Sequence, residues 1–178
     1  MKLVSLGVLS NEFDTIADHI MNSWKDACIV EIQRVEDHCM TSRYMELKES
    51  LGECAGERTL FHGTNKAAVS NILETGYDPN YAKTCAYGKG IYFAKNASLS
   101  YQYMPVTRFS NKDDTFQLSY MFVNSVLMGR ACIGSFNRAC PEGFDTQVDN
   151  LESPKIVSVP RSHQALPTHV IIFHKNAN

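Results

Sequence analysis

Residues 87–103 read "YGKGIYFAKNASLSYQY", with four tyrosines, two serines and two glycines in seventeen positions. "GIYFAK" (90–95) fits a short strand, and Asn96 can cap a helix through "ASLSYQYM" (97–104). Gly88-x-Gly90 resembles the start of a dinucleotide fingerprint, but position 93 is Phe93 and a strand follows where a helix is needed. A Rossmann reading therefore fails, and no G-x-x-x-x-G-K-[ST] run supports a Walker loop. Two readings of the glycines stay open: a tight turn, or a backbone that lets a ligand approach. The tyrosines likewise fit an ordinary core or a site for a flat polar ring, since stacked rings add area and hydroxyls orient substituents.

Outward from this stretch, the pattern is that of one domain with neither repeats nor low-complexity linkers. "SNEFDTIADHIMNSW" (10–24) is an amphipathic helix capped by Ser10, with Phe13, Ile16, Ala17, Ile20, Met21 and Trp24 on one face. "CIVEIQRV" (28–35) alternates as a strand, Val30 and Ile32 against Glu31 and Gln33. A helix over 42–51 turns Tyr44, Leu47 and Leu51 inward. "TLFHGT" (59–64) is a short strand, and "KAAVSNILET" (66–75) a helix ended by Gly76. A loop follows to Gly90, with turn chemistry at Asp78-Pro79-Asn80. "TFQLSYMFVNSVLMG" (115–129) is a long strand with Phe116, Leu118, Tyr120 and Phe122 on one face. A loop from Arg130 to Gly143 precedes the closing strands "KIVSV" (155–159) and "THVIIF" (168–173). Helices early and strands late, without βαβ alternation, give an α+β fold with a mostly antiparallel sheet.

Composition excludes several function classes. At 178 residues, 44% hydrophobic and 20% charged, the chain has the make-up of one soluble domain. A net charge of -2 gives no general attraction to nucleic acid or anionic lipid. No apolar run reaches ~18 residues, and no secretory cleavage site follows the first segment, so neither membrane nor secretion is expected. Six cysteines at irregular spacing without C-x-x-C fit reduced thiols in an intracellular protein, cytoplasmic or nuclear. His169 and His174, five apart on a strand, point to opposite faces and exclude a zinc site there. Cys85 has no assignable histidine partner, and paired hydrolase carboxylates are missing. His62, between a strand and a helix start, reads as a structural histidine or a polar site residue. Beside it, Gly63 exposes an amide donor and a carbonyl acceptor that suit a planar carboxamide.

Taken in order, "LFHGT", a helix ending in Gly, a variable loop, "YGKGIYFA" and "S-x-S-x-x-Y" resemble the catalytic domain of the poly(ADP-ribose) polymerase family. "EIQRVED…RYMELKESL" and "DNLESPKIVSV…QALPTHVIIF" resemble the entry and end of its mono-ADP-ribosyltransferase branch, so the likeness covers about residues 10–173. The resemblance implies a diphtheria-toxin-like fold, two facing mostly antiparallel sheets around an NAD cleft. It implies NAD as co-substrate, no metal, a protein acceptor such as a Glu or Asp side chain, no DNA requirement, and a monomer. About sixty residues precede His62, which leaves no room within this chain for a helical regulatory subdomain.

Carried over by this likeness, His62 bonds the adenine-side ribose and Tyr92 packs against the nicotinamide end. The Gly63 backbone and Ser100 hydroxyl hold the carboxamide, Tyr103 stacks on its other face, and Thr64, Tyr81, Tyr87, Gly90, Phe93 and Ala94 complete the donor site. The third catalytic position, Glu in polymer-forming members, falls on Ile156, which implies transfer of one unit without elongation. Similar members often carry an arginine in the loop after Gly76; "GYDPNYAK" has Pro79 near that place, with Tyr81 and Lys83 as replacements. Two alternatives stand beside this reading: a catalytically silent module that binds NAD, ADP-ribose or a protein, and modification of nucleic-acid phosphate ends.

Overall fold

A computed structural model describes residues 1–82, 84–104 and 118–174. Lys83 and Phe116 therefore lie outside the described residues. The elements run β1 (Lys2–Ser5), α1 (Asn11–Met21), β2 (Cys28–Glu36), α2 (His38–Leu51), β3 (Glu57–Thr64), α3 (Lys66–Thr75), β4 (Ile91–Ala94), α4 (Ala97–Gln102), β5 (Leu118–Leu127), β6 (Ala131–Ile133), β7 (Thr146–Val148), β8 (Ile156–Val159) and β9 (Ala165–His174). Strands follow the order β1-β2-β9-β5-β3-β4-β8-β7-β6, and among the described residues only the β6–β7 pair is parallel.

Where two facing sheets were expected, hydrogen bonding is continuous across nine strands. The continuity rests on one registered pair, Phe61↔Ala94, between the groups β1-β2-β9-β5-β3 and β4-β8-β7-β6. Beyond that pair β3 and β4 part, and the parting creates the cleft.

Two larger cores cover the sheet, beside a smaller cluster of Tyr44, Ala55 and Leu127 at α2. One gathers Leu60, Val69, Ile72, Leu73, Tyr77, Phe93, Phe122 and Val157 beneath α3. The other gathers Ile20, Ile32, Phe61, Met121, Val123, Ile171 and Phe173 beneath α1. Packing on both faces explains why central β5 is nearly continuously buried from Met121 to Leu127 rather than alternating.

Local chemistry sets most boundaries. The side chains of Ser10, Asp37 and Asn65 accept from the amides of Phe13, Met40 and Ala68, capping α1, α2 and α3. Asp37 starts α2 four residues earlier than its apolar face suggests. Gly76, at φ +82°, ends α3 with its amide on the Ile72 carbonyl.

Several expectations need correction. Asn96 occupies the N-cap position of α4 without a side-chain capping bond. Met21 is 45% exposed at the end of α1, off the buried stripe. Val30 is the extra residue of a bulge between Ile29 and Glu31 and so faces outward, breaking the expected alternation. The Arg130–Gly143 loop contains β6, and β1 and β7, of four and three residues, escape notice.

Candidate active site

The cleft begins where β3 and β4 diverge. In place of a ladder bond, the His62 imidazole spans the gap, its Nδ1–H donating to the Tyr92 carbonyl at 2.8 Å. A carbonyl can only accept, so Nδ1 carries the proton and Nε2 of the neutral ring is left as an acceptor. Burial holds the imidazole below its ordinary pKa of 6.5, against the Tyr92 bond that favours protonation. The ring is fixed edge-on by Tyr77 at 5.1 Å and lies beside Phe93 at 5.6 Å.

Tyr77, which the sequence reading passed over, is itself anchored. Its hydroxyl donates to Asn124 Oδ1 at 2.6 Å, and Asn124 Nδ2 donates to the Leu60 and Phe122 carbonyls. Both residues are buried, Tyr77 at 3% and Asn124 at 0% exposure. Tyr77→Phe leaves that amide oxygen without its donor, so urea unfolding is expected to show a loss of about 1–3 kcal/mol.

Acidification tests His62, which is partly buried, and His169, which is buried. His62 and His169 both have pKa values lowered by burial, so the unfolded chain takes up a proton before the native state does. Their contribution is constant above the ordinary value of 6.5 and erodes as pH falls from there towards the depressed native values. The slope is at most about 1.4 kcal/mol per pH unit for each histidine. Urea midpoints are expected to fall from pH 7 to pH 5, and less steeply in His169→Gln. The lowered carboxylates Glu12, Asp37 and Glu57 act only at lower pH, because their support is lost below their own depressed pKa values.

Across β4-β8-β7 the register sets the cleft floor. Ala94 lies opposite Ile156, and Tyr92 opposite Ser158, which in turn faces Gln147. Opposed residues share a face, so these two rows lie together, opposite the face packed with Phe93, Val157 and Val148. A cavity of about 300 Å³ is lined by His62, Gly63, Tyr87, Tyr92, Phe93, Ala94, Ser100, Tyr103 and Ile156. Nine of the site residues expected from sequence thus meet around one space, joined by Phe61, Ala82, Thr84 and Ala86, which sequence reasoning missed. Ala82, Thr84 and Ala86 are small loop residues with no signal that would single them out, and Phe61 reads as an ordinary strand core residue.

The remaining three, Thr64, Tyr81 and Gly90, line an adjoining compartment of about 440 Å³ that shares His62, Gly63, Ala82, Tyr92 and Tyr103 with the first. Thr64 is buried, whereas Tyr81 is 76% exposed at its rim. Pro79 starts the 3-10 turn Pro79–Tyr81, where its fixed φ is an asset, and Asp78 Oδ1 accepts from the Asn80 amide at 2.9 Å.

Polar groups mark the cavity's edges. Ser100 is 4% exposed and lines the cavity. Tyr103, at the C-cap of α4, is 69% exposed. Ile156 closes one end at 7% exposure. Asp149 Oδ1 accepts from the Lys155 and Ile156 amides at 2.9 and 3.0 Å, so this carboxylate is engaged by backbone. Gly88, at φ +97°, fits the tight-turn reading, and at Gly90 the close approach is to protein, since a Cβ there would lie 2.6 Å from Ser158 Oγ.

Comparison with known proteins gives the same direction. Residues 10–141 match the family model described as "Poly(ADP-ribose) polymerase catalytic domain". Similar proteins include "Protein mono-ADP-ribosyltransferase PARP14" of Homo sapiens, 27% identical over 92% of this chain and 10% of that protein. "Protein mono-ADP-ribosyltransferase PARP10" of Mus musculus is 32% identical over 80% of this chain and 16% of that protein. "Protein mono-ADP-ribosyltransferase PARP12" of Homo sapiens is 28% identical over 96% and 25% respectively. The chain thus spans a quarter or less of the length of these relatives.

Proposed function

The chain belongs to the poly(ADP-ribose) polymerase catalytic-domain family, and from that membership we propose that it transfers one ADP-ribose unit from NAD to a protein side chain, releasing nicotinamide. The observation that carries the proposal is the gathering of His62, Gly63, Tyr92, Ser100, Tyr103 and Ile156 around one cavity at the β3–β4 split. NAD is the co-substrate, and the donor set suits it. Tyr92 and Tyr103 flank a flat ring, while the Gly63 backbone and Ser100 hydroxyl supply donors and acceptors for its carboxamide. His62 Nε2, held unprotonated, accepts a hydroxyl of the adenine-side ribose. Thr64 and Tyr81 line the compartment for the adenosine half.

The reaction breaks the bond between the nicotinamide nitrogen and the ribose carbon, and the bonding pair leaves with nicotinamide. Because the ring is cationic beforehand it departs neutral, so a general acid is dispensable. Orientation then dominates the catalytic task. An acceptor carboxylate bonds to the ribose carbon through one of its own oxygens and has no proton to lose. A sugar hydroxyl, the acceptor needed for elongation, has one, and Ile156 offers no base for it. Transfer therefore stops at one unit. The proposal also sets the chain inside the cell, in cytoplasm or nucleus, acting as a monomer without DNA.

Incubation of the purified protein with labelled NAD, followed by a denaturing gel, tests this. A discrete labelled band is expected. A high-mass ladder refutes the reading of Ile156, and folded protein that binds nicotinamide yet takes no label makes this a silent binding module.

A further inference from the structure

The row Tyr92–Ser158–Gln147 has a second property, which concerns the turn lying over it. All three side chains converge on Gly88. The Tyr92 hydroxyl donates to the Gly88 carbonyl at 2.7 Å and accepts from the Tyr87 amide at 2.9 Å. Ser158 Oγ donates to the same carbonyl at 3.3 Å. The Gln147 carboxamide lies so close against the Gly88 α-carbon that a Cβ there would overlap its Cδ, Oε1 and Nε2. Ser158 and Gln147 are 0% and 1% exposed, and Gln147 Oε1 finds no partner among the described residues. A buried polar group that is left unsatisfied weakens a fold, so its presence is not explained by stability. Shape explains it: a planar carboxamide is thin enough to lie under a turn at φ +97°.

We propose that Gln147 and Ser158 are positioning residues that seat the Gly88 turn and thereby fix Tyr87 and Tyr92, the aromatic wall of the nicotinamide cavity. Neither reaches the ligand itself; they act through the turn. The ligand named here rests on the proposed function, whereas the seat is a property of the fold alone.

Three variants decide the matter: Ser158→Ala, Gln147→Met and, as a control in the same strand but on the opposite face, Val148→Ala. Amide hydrogen exchange over residues 85–91 reads the turn without any ligand, and calorimetric titration with nicotinamide reads the wall. Faster exchange at Tyr87–Lys89 is expected in the first two variants. Nicotinamide binding should weaken about threefold in Ser158→Ala and about tenfold in Gln147→Met. Gln147→Met should unfold no earlier than the parent, because its apolar end removes the unsatisfied oxygen. Val148→Ala should unfold earlier with neither exchange at the turn nor affinity changed. Unaltered exchange in both seat variants, or equal effects in Val148→Ala, overturns the inference. Should Gln147→Met not fold, Ser158→Ala, which deletes one oxygen, carries the test. A parent protein that binds no nicotinamide would refute the proposed function instead, and the exchange arm would still decide the seat.

Discussion

His62→Ala is expected to take up about a hundredfold less label from NAD than the parent protein. Two losses combine in that number. The variant gives up the Nε2 acceptor proposed above for the ribose hydroxyl, and it releases the Tyr92 carbonyl from the only side chain seen bridging the β3–β4 split among the described residues. Tyr92 then forms part of a wall tied to β3 through the Phe61–Ala94 pair without the imidazole bridge, and misplacement of about 1 Å at a reacting centre is enough for an effect of this size. His62→Asn separates the two contributions. Its amide can donate towards Tyr92 as Nδ1–H does, but its remaining oxygen cannot stand where Nε2 stands. Labelling intermediate between parent and alanine variant is expected if both contributions operate. Label in His62→Ala equal to the parent would remove His62 from the site. Unfolding midpoints of each variant show whether lost label reflects lost fold.

The sequence made the cleft legible where chemistry is concentrated in short motifs. "LFHGT" and "YGKGIYFA" carry His62, Gly63 and Tyr92 next to residues whose types imply turn, strand and helix start, and these meet in space. Only the ordered resemblance, however, could bring β3 and β4 together, because periodicity says which face a residue occupies and not which strand it adjoins. The supports were illegible for the same reason. Tyr77 looks like the first residue of a loop, and its role depends on Asn124, forty-seven residues later. Gln147 lies in a three-residue strand that periodicity cannot detect, and its meaning comes from standing opposite Ser158. Ile156 was legible as a position through its family resemblance, whereas the closure of that position by Asp149 is a matter of backbone geometry.

Gly63→Ala is expected to lower labelling by about a hundredfold as well, but by closing the site rather than by removing a functional group. A Cβ at Gly63 would overlap Met104 Cγ and lie 2.8 Å from the Ser100 carbonyl oxygen. The methionine can swing aside; the carbonyl is backbone of α4 and moves only with the helix. Displacing α4 carries away the Ser100 hydroxyl and Tyr103, which line the same cavity as Gly63. Overpacking of this kind costs about 1–3 kcal/mol, so the unfolding midpoint should fall together with activity. Met104→Ala in the Gly63→Ala background tells which neighbour decides. If the backbone clash dominates, stability recovers partly and labelling does not, because α4 stays displaced. Full recovery of labelling would show that the flexible methionine alone crowded the site and that α4 tolerates a side chain at position 63. The close approach of β3 to α4 would then be a matter of packing, with no bearing on how the carboxamide is held.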